Sequence, residues 1–284
     1  VAAVLFLKIF HKKILGFGIL GKPNLRKNFS IVLIVILGFS LYMIGYILYD
    51  YYRSYTTINA LHQQFDQNEM SGSINSINSE PNAAICNGET GNIIDKFKPL
   101  LKVNSDVVGW INIPGTRIDY PVLQSNDNEY YLDHDINGNK SFFGSIFMDF
   151  RNNIKKKDSN IILYGHDMKN GSMFHDLVYY KKKDFFESHP LILFETLYKK
   201  YKGEIFSVYV TDTKFNYLIT NFASPEEYGA YLDTIRNKSL FKNNVTVTTK
   251  DRILTLSTCS YEFKDARLVI HAKLIEDTNE NINY

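Results

Sequence analysis

From Phe29 to Tyr49 the chain reads FSIVLIVILGFSLYMIGYILY, without one charged side chain. A helix of ~20 apolar residues spans the ~30 Å hydrocarbon layer of a bilayer. This run therefore commits the chain to a membrane-anchored architecture. Lys22, Arg26 and Lys27 lie just before it and Asp50 follows at once. The positive-inside rule then keeps the N-terminus in the cytoplasm and sends the C-terminal bulk across. Tyr42, Tyr46, Tyr49, Tyr51 and Tyr52 crowd the outer end, as an interfacial aromatic belt would. A cleaved signal peptide is the competing reading, but the apolar run is too long and no small-residue cleavage site follows.

Charge divides the chain the same way. Residues 1–49 carry Lys8, Lys12, Lys13, Lys22, Arg26 and Lys27 and no acid, whereas the whole chain is only +2, so the remainder is net negative. A nucleic-acid-binding surface needs a basic excess that the outer part lacks. Residues 1–28 are expected to form a basic cytoplasmic or interfacial segment, and 29–49 the transmembrane signal anchor. Residues 50–92 are read as an outer helix and linker. Within them, 53–68 show a weak helical pattern through Ile58, Leu61 and Phe65, and 69–92 are rich in Ser, Asn and Gly, as a spacer would be. Residues 93–277 form the outer domain and 278–284 a tail.

The outer domain reads as mainly β. After a short entry helix from Ile93 to Leu101, strand-like runs recur. They are Val107–Ile113, Ile118–Leu123, Gly144–Met148, Asn160–Tyr164, Leu191–Glu195, Glu204–Thr213, Val245–Thr249, Ile253–Thr258 and Arg267–Ile275. Many short strands separated by turn signals predict a sandwich or barrel. One insertion is helical. Ser224-Pro225-Glu226-Glu227 supplies an N-cap, a first-turn proline and a capping-box glutamate. Tyr228, Tyr231, Leu232 and Ile235 follow at helical spacing, which predicts a helix over about 225–237.

Two cysteines exclude a disulfide scaffold and a four-cysteine zinc module. Cys86 lies in the linker, and both thiols are expected to be free. Cys259 ends the strand ILTLSTC, with Ile253, Thr255 and Ser257 on its own face. That face grows more polar toward the cysteine, as at a cleft, although a free cysteine is most often a small buried hydrophobe. Arg267 opens the next strand. If the two strands pair as a hairpin, Arg267 begins about 5 Å from where Cys259 ends. A guanidinium there suits a thiolate or a developing oxyanion, against the alternative of a strand-edge surface arginine. His166 follows the buried strand NIILY beside Gly165, at a cleft rim or in a turn bound to Asp167. No other histidine holds a comparable strand-end position. Thiol, imidazole and oxyanion donor are the parts that nucleophilic acyl transfer needs.

Taken together these segments resemble the sortases, cysteine transpeptidases of Gram-positive cell surfaces. TLSTC (255–259), an arginine eight residues later and LYGHDM (163–168) carry the likeness, with GWINIPGTRIDYPV (109–122), DNEYYLDHD (127–135), FGSIFMD (143–149) and GSMFHDL (171–177). The inserted helix near 225–237 is similar to class B members. The resemblance implies an eight-stranded β-barrel with N-terminal helices. It implies Cys259 as nucleophile, His166 as proton carrier and Arg267 as oxyanion stabiliser. It further implies that Asn128, Leu132, Tyr164, Tyr217, Leu218 and Ser257 contact a sorting peptide. Some members have an Asp two residues after the cysteine; Tyr261 stands here, which favours Cys-His-Arg over Cys-His-Asp.

The implied reaction cleaves a C-terminal sorting signal (NPxTN- or xPxTG-like) of secreted proteins after Thr. A thioester forms on Cys259, and a peptidoglycan-precursor amine resolves it. No cofactor, metal or nucleic acid enters. A thiol peptidase that only hydrolyses, an L,D-transpeptidase and a non-enzymatic membrane-tethered β scaffold are the alternatives. Ser-Thr-Cys departs from the His-Gly-Cys pattern of the second.

Overall fold

A computed structural model of the chain describes residues 23–77 and 92–277. The chain divides into two compact units, residues 1–53 and 54–284. In the first, helix α1 (Pro23–Ile77) begins. Nearly every side chain from Phe29 to Tyr49 is exposed, Ile34 at 67% and Phe39 at 64%. Apolar residues exposed all around a helix match lipid rather than water as the surroundings. It is the one helix among the described residues long and apolar enough to cross a membrane. Cys86, residues 1–22 and the tail 278–284 lie outside the described residues.

The linker reading needs a correction. The helix does not give way to a spacer at 69; it continues to Ile77, and of the linker, residues 78–91 lie outside the described residues. Extending a nucleated helix costs little per residue, even through Ser and Asn. In the second unit Leu61 and Phe65 of α1 are buried. Phe65 stacks on Trp110 at 4.2 Å and meets Phe97 edge-on at 5.4 Å. The Lys96 ammonium sits 4.2 Å above the Phe65 ring and pairs with Glu195 at 2.8 Å. His62 Nε2 donates to Asp119 O at 2.7 Å, and Trp110 Nε1 donates to Asp119 Oδ1 at 2.6 Å.

Eight strands close into a barrel: β1 (Val107–Asn112), β2 (Asp119–Leu123), β3 (Ile146–Met148), β4 (Asn160–Tyr164), β5 (Leu191–Thr196), β6 (Lys200–Thr211), β7 (Arg252–Cys259) and β8 (Arg267–Glu276). Their order around the barrel is β1-β2-β3-β4-β7-β8-β6-β5. Neighbours are antiparallel except β2–β3 and β4–β7. The short helix α2 (Lys98–Val103) precedes β1, as the sequence predicts, and α3 (Lys183–Ser188) precedes β5.

Period-2 alternation sorts side chains into two layers. Leu254, Leu256, Leu268, Ile270 and Ala272 point into the barrel core with Ile111, Val122 and Leu163. Ile253 and Val269 point outward, beneath α4 (Pro225–Lys238) and its Tyr228, Tyr231, Leu232 and Ile235. The N-terminus of α4 follows its sequence signals. Ser224 Oγ accepts from Glu227 N at 3.2 Å, and Glu227 Oε2 accepts from Ala223 N at 2.8 Å.

The expected strand over 245–249 does not form. Val245 and Val247 pack as strand-type residues would, against the cluster beneath α4. Their backbone is met by side chains instead of a ladder. Arg236 Nη2 donates to Val245 O at 2.6 Å and Lys273 Nζ to Thr246 O at 3.0 Å. Apolar alternation reports burial, and here a helix rather than a sheet provides it.

Candidate active site

Cys259 and Arg267 are direct cross-strand partners, the last pair of the β7–β8 ladder. Both are half-buried. The loop between them is short and tied. Ser260 N donates to Ala266 O at 2.9 Å, and Glu262 takes Lys181 as an ion-pair partner. Arg267 Nη1 donates to Ala266 O at 3.0 Å.

His166 arrives from the other side of β7. Strand β4 runs parallel to β7, with Tyr164 beside Ser257. Gly165 N prolongs the pairing to Ser257 O at 3.3 Å. Advancing equally along the two parallel chains brings His166 level with Cys259. No side chain fits at Gly165, where a Cβ would stand 2.4 Å from Ile146 Cδ1 and 2.8 Å from the Phe174 ring. His166 Nε2 donates to Leu132 O at 2.7 Å, and the His166 carbonyl accepts from Phe174 N at 2.9 Å. The alternative of a turn histidine held by Asp167 does not occur. The Asp167 carboxylate is taken by His175 Nδ1 at 2.7 Å.

Of the six other residues singled out from the sequence, four fall into two linked pairs, and Leu132 and Leu218 each offer a backbone carbonyl to another side chain. Tyr217 and Ser257, both buried, share a hydrogen bond of 2.8 Å between their hydroxyl oxygens. Burial pushes the Tyr217 phenol up, against the Ser257 hydrogen bond and the Arg267 charge, which pull it down. Asn128 and Tyr164 meet on one carboxylate, Asp149, at 3.0 and 2.7 Å. Leu132 presents its carbonyl to His166 and leaves its side chain 42% exposed. The Leu218 carbonyl accepts from Arg151 Nη2 at 3.0 Å.

Sequence reasoning missed Asp149 and Arg151. The only signal was their place at the end of FGSIFMD and just beyond it. Tyr261, the position weighed for a carboxylate, is 70% exposed and reaches the Asp167 carbonyl at 3.4 Å.

A half-buried thiol, a facing guanidinium and an imidazole from the adjacent strand can accept an acyl group, stabilise an oxyanion and move a proton. Residues 111–275 match the family model described as the sortase domain. The chain is 38% identical over 256 residues to sortase B of Listeria monocytogenes, covering 89% of this chain and 98% of that one. It is 45% identical over 183 residues to sortase B of Staphylococcus aureus, covering 64% and 75%. Among solved structures, a Staphylococcus aureus sortase B–substrate complex superposes with TM-score 0.68 at 38% identity, over 79% of this chain and 97% of that one. Sortase B from Bacillus anthracis in complex with AAEK1 gives TM-score 0.68 at 38% identity, over 81% and 100%.

Proposed function

The chain belongs to the sortase family, the cysteine transpeptidases of cell-wall anchoring, on its class B side, and from that premise we propose its specific reaction and residue roles. The protein acts on a C-terminal sorting signal of the NPxTN or xPxTG kind. Cys259 is the nucleophile, His166 the proton carrier and Arg267 the oxyanion donor. The observation that carries this reading is the convergence of Cys259 and Arg267 as ladder partners with His166 on the parallel neighbour.

The Cys259 thiolate attacks the Thr carbonyl, forming a C–S bond and an oxyanion. The Arg267 fork favours that charge, which is absent from the ground-state amide. Collapse breaks the C–N bond, and the His166 imidazolium gives its proton to the departing amine. A thioester remains. An amine of a peptidoglycan precursor then attacks, passes a proton to His166 and expels the sulfur. Leu132 O orients the imidazole from behind and keeps a proton on Nε2, which leaves Nδ1 to carry the transferred proton. Asn128, Leu132, Tyr164, Tyr217, Leu218 and Ser257 line the peptide groove.

The apolar helix supports a single-pass anchor with a cytoplasmic N-terminus and the barrel on the outer face. That location brings the groove to secreted proteins and lipid-linked precursors as they emerge.

The test is mass spectrometry of the full chain in detergent, incubated with a panel of NPxTN and xPxTG peptides with and without an added amine. A thioester adduct on Cys259 and amine-dependent ligated product are expected. Hydrolysis at the same rate with and without amine would favour a peptidase, and no adduct with any peptide would end the reading.

A further inference from the structure

Strand β3 stops at Met148, and Asp149 follows with its side chain entirely withdrawn from solvent. A buried carboxylate is costly unless hydrogen bonds fill its lone pairs. Here five donors do so. Oδ1 accepts from Arg151 N at 3.0 Å and Arg151 Nε at 2.8 Å. Oδ2 accepts from Arg151 Nη2 at 2.7 Å, Tyr164 OH at 2.7 Å and Asn128 Nδ2 at 3.0 Å. Burial alone would raise this carboxyl, but the Arg151 and Tyr164 bonds outweigh it and hold it below the usual carboxylate range.

Three donors come from Arg151, two residues on, and the other two from Asn128 and Tyr164, 21 and 15 residues away. Arg151, 41% exposed, forks between Asp149 and the Leu218 carbonyl. Asn128 Oδ1 accepts from Phe150 N at 3.0 Å. With Nδ2 on a carboxylate and Oδ1 on an N–H, the Asn128 amide has one permitted orientation, with one N–H and one lone pair left over. Tyr164 must be the donor to Asp149, because burial first and the adjacent carboxylate second push its phenol well up. Its remaining capacity is that of an acceptor. One ionised group thus dictates the orientation of Asn128, the polarity of Tyr164 and, through Arg151, the position of the 217–218 segment.

We propose that Asp149 is the positioning residue of the peptide groove, holding Asn128, Tyr164 and the Leu218 carbonyl in the one arrangement that receives an extended sorting peptide. This rests on the reading of those three as peptide contacts. Asp149 touches neither the peptide nor Cys259; it acts through its partners. An apolar or neutral hub would leave the Arg151 guanidinium unpaired and the Asn128 amide free to flip. The groove would then be present but loose, and loss would fall on peptide binding before chemistry.

Asp149→Asn in the full chain in detergent provides the test. The variant is nearly isosteric, but its amide cannot accept five donors. The expected result is a KM for the sorting peptide raised about tenfold, with kcat within about threefold. Alkylation of Cys259 by iodoacetamide, which needs no groove, should keep its wild-type rate. Adding Tyr164→Phe should cost less in the Asp149→Asn background than in wild type, because the hydroxyl there has already lost its anchor. A variant with lowered melting temperature but wild-type KM would overturn the proposal, as would full additivity of the two substitutions. Should Asp149→Asn fail to fold, Arg151→Lys decides: it keeps the charge and loses the fork, so a KM raised several-fold supports the hub and an unchanged KM overturns it. A wild-type chain that cleaves no peptide while Cys259 still alkylates would instead bring down the functional reading, and this proposal with it.

Discussion

His166 is held from behind by Leu132: its Nε2 donates to that residue's carbonyl at 2.7 Å. Gly144, with φ +56°, lies directly against that carbonyl. A Cβ at position 144 would stand 2.5 Å from Leu132 O and 2.6 Å from Tyr131 O. Gly144→Ala must therefore strain the backbone or push the Leu132 carbonyl away from the imidazole. The expected cost is about 1–3 kcal/mol of stability, read by thermal melting. A fall in kcat of about tenfold should accompany it as the ring loses its orientation. Wild-type kcat in a folded Gly144→Ala chain would detach Leu132 from the chemistry.

Arg267→Lys keeps the positive charge opposite Cys259 and removes the planar fork. Loss of a geometrically matched oxyanion donor typically costs about 10²–10³ in kcat. That range is expected for peptide cleavage, while the fold, set by the β7–β8 ladder, stays intact by circular dichroism. A lysine variant within a few-fold of wild type would show that charge alone is sufficient.

His271 sits wholly buried between Tyr209 and Thr255, at 2.9 and 2.8 Å. Thr255 Oγ1 spends its proton on Asn160 Oδ1, so His271 Nδ1 carries the ring proton and Nε2 accepts from Tyr209. Burial pushes this imidazole down to about 3 from its ordinary 6.5. Between those values the unfolded chain binds a proton that the folded chain refuses. Stability is then complete above about pH 6.5 and falls by about 1.4 kcal/mol per pH unit on the way down. Urea unfolding at pH 6 and pH 4 should show this slope, and His271→Gln should flatten it. Asp149 and Asp176, both held low by arginine partners against the opposing effect of burial, add a further loss only below about pH 4. An equal slope in the glutamine variant would remove His271 as its source.

Phe65→Ala removes the ring that lies between Trp110, Phe97 and the Lys96 ammonium. A buried phenylalanine truncated to alanine costs about 3–5 kcal/mol. A melting temperature lowered accordingly is expected, with kcat/KM within about twofold because no groove residue is touched. An unchanged melting temperature would mean that this stretch of α1 contributes nothing to the barrel.

The parts of this site that could be read from the sequence are the local ones. Alternation along 253–259 gave Cys259 its face, and a seven-residue connection, 260–266, gave it Arg267 as partner. The helix after Ser224 announced itself through its cap. The parallel register of β4 with β7, which brings His166 level with Cys259, depends on strands about 95 residues apart, as the Thr255–Asn160 bond does, and no local pattern encodes it. Asp149 was invisible for the same reason. Its partners Asn128 and Tyr164 are separated from it by 21 and 15 residues, and Leu218 lies 67 residues from the Arg151 that links it. The false strand at 245–249 shows the converse, since two valines meeting a helix produce the same alternation as two valines in a ladder.

The eight-stranded ring joins β5 back to β1, so among the described residues every strand has a neighbour on both sides. A visiting peptide cannot be captured by lending it a ninth place in the sheet, the mode in which backbone alone confers grip regardless of residue identity. Whatever binds here has to be recognised by the chemistry of its own side chains and by amide contacts to individual groups. Under the proposed function, selectivity for a client tail is therefore asked of side-chain contacts rather than of a free sheet edge.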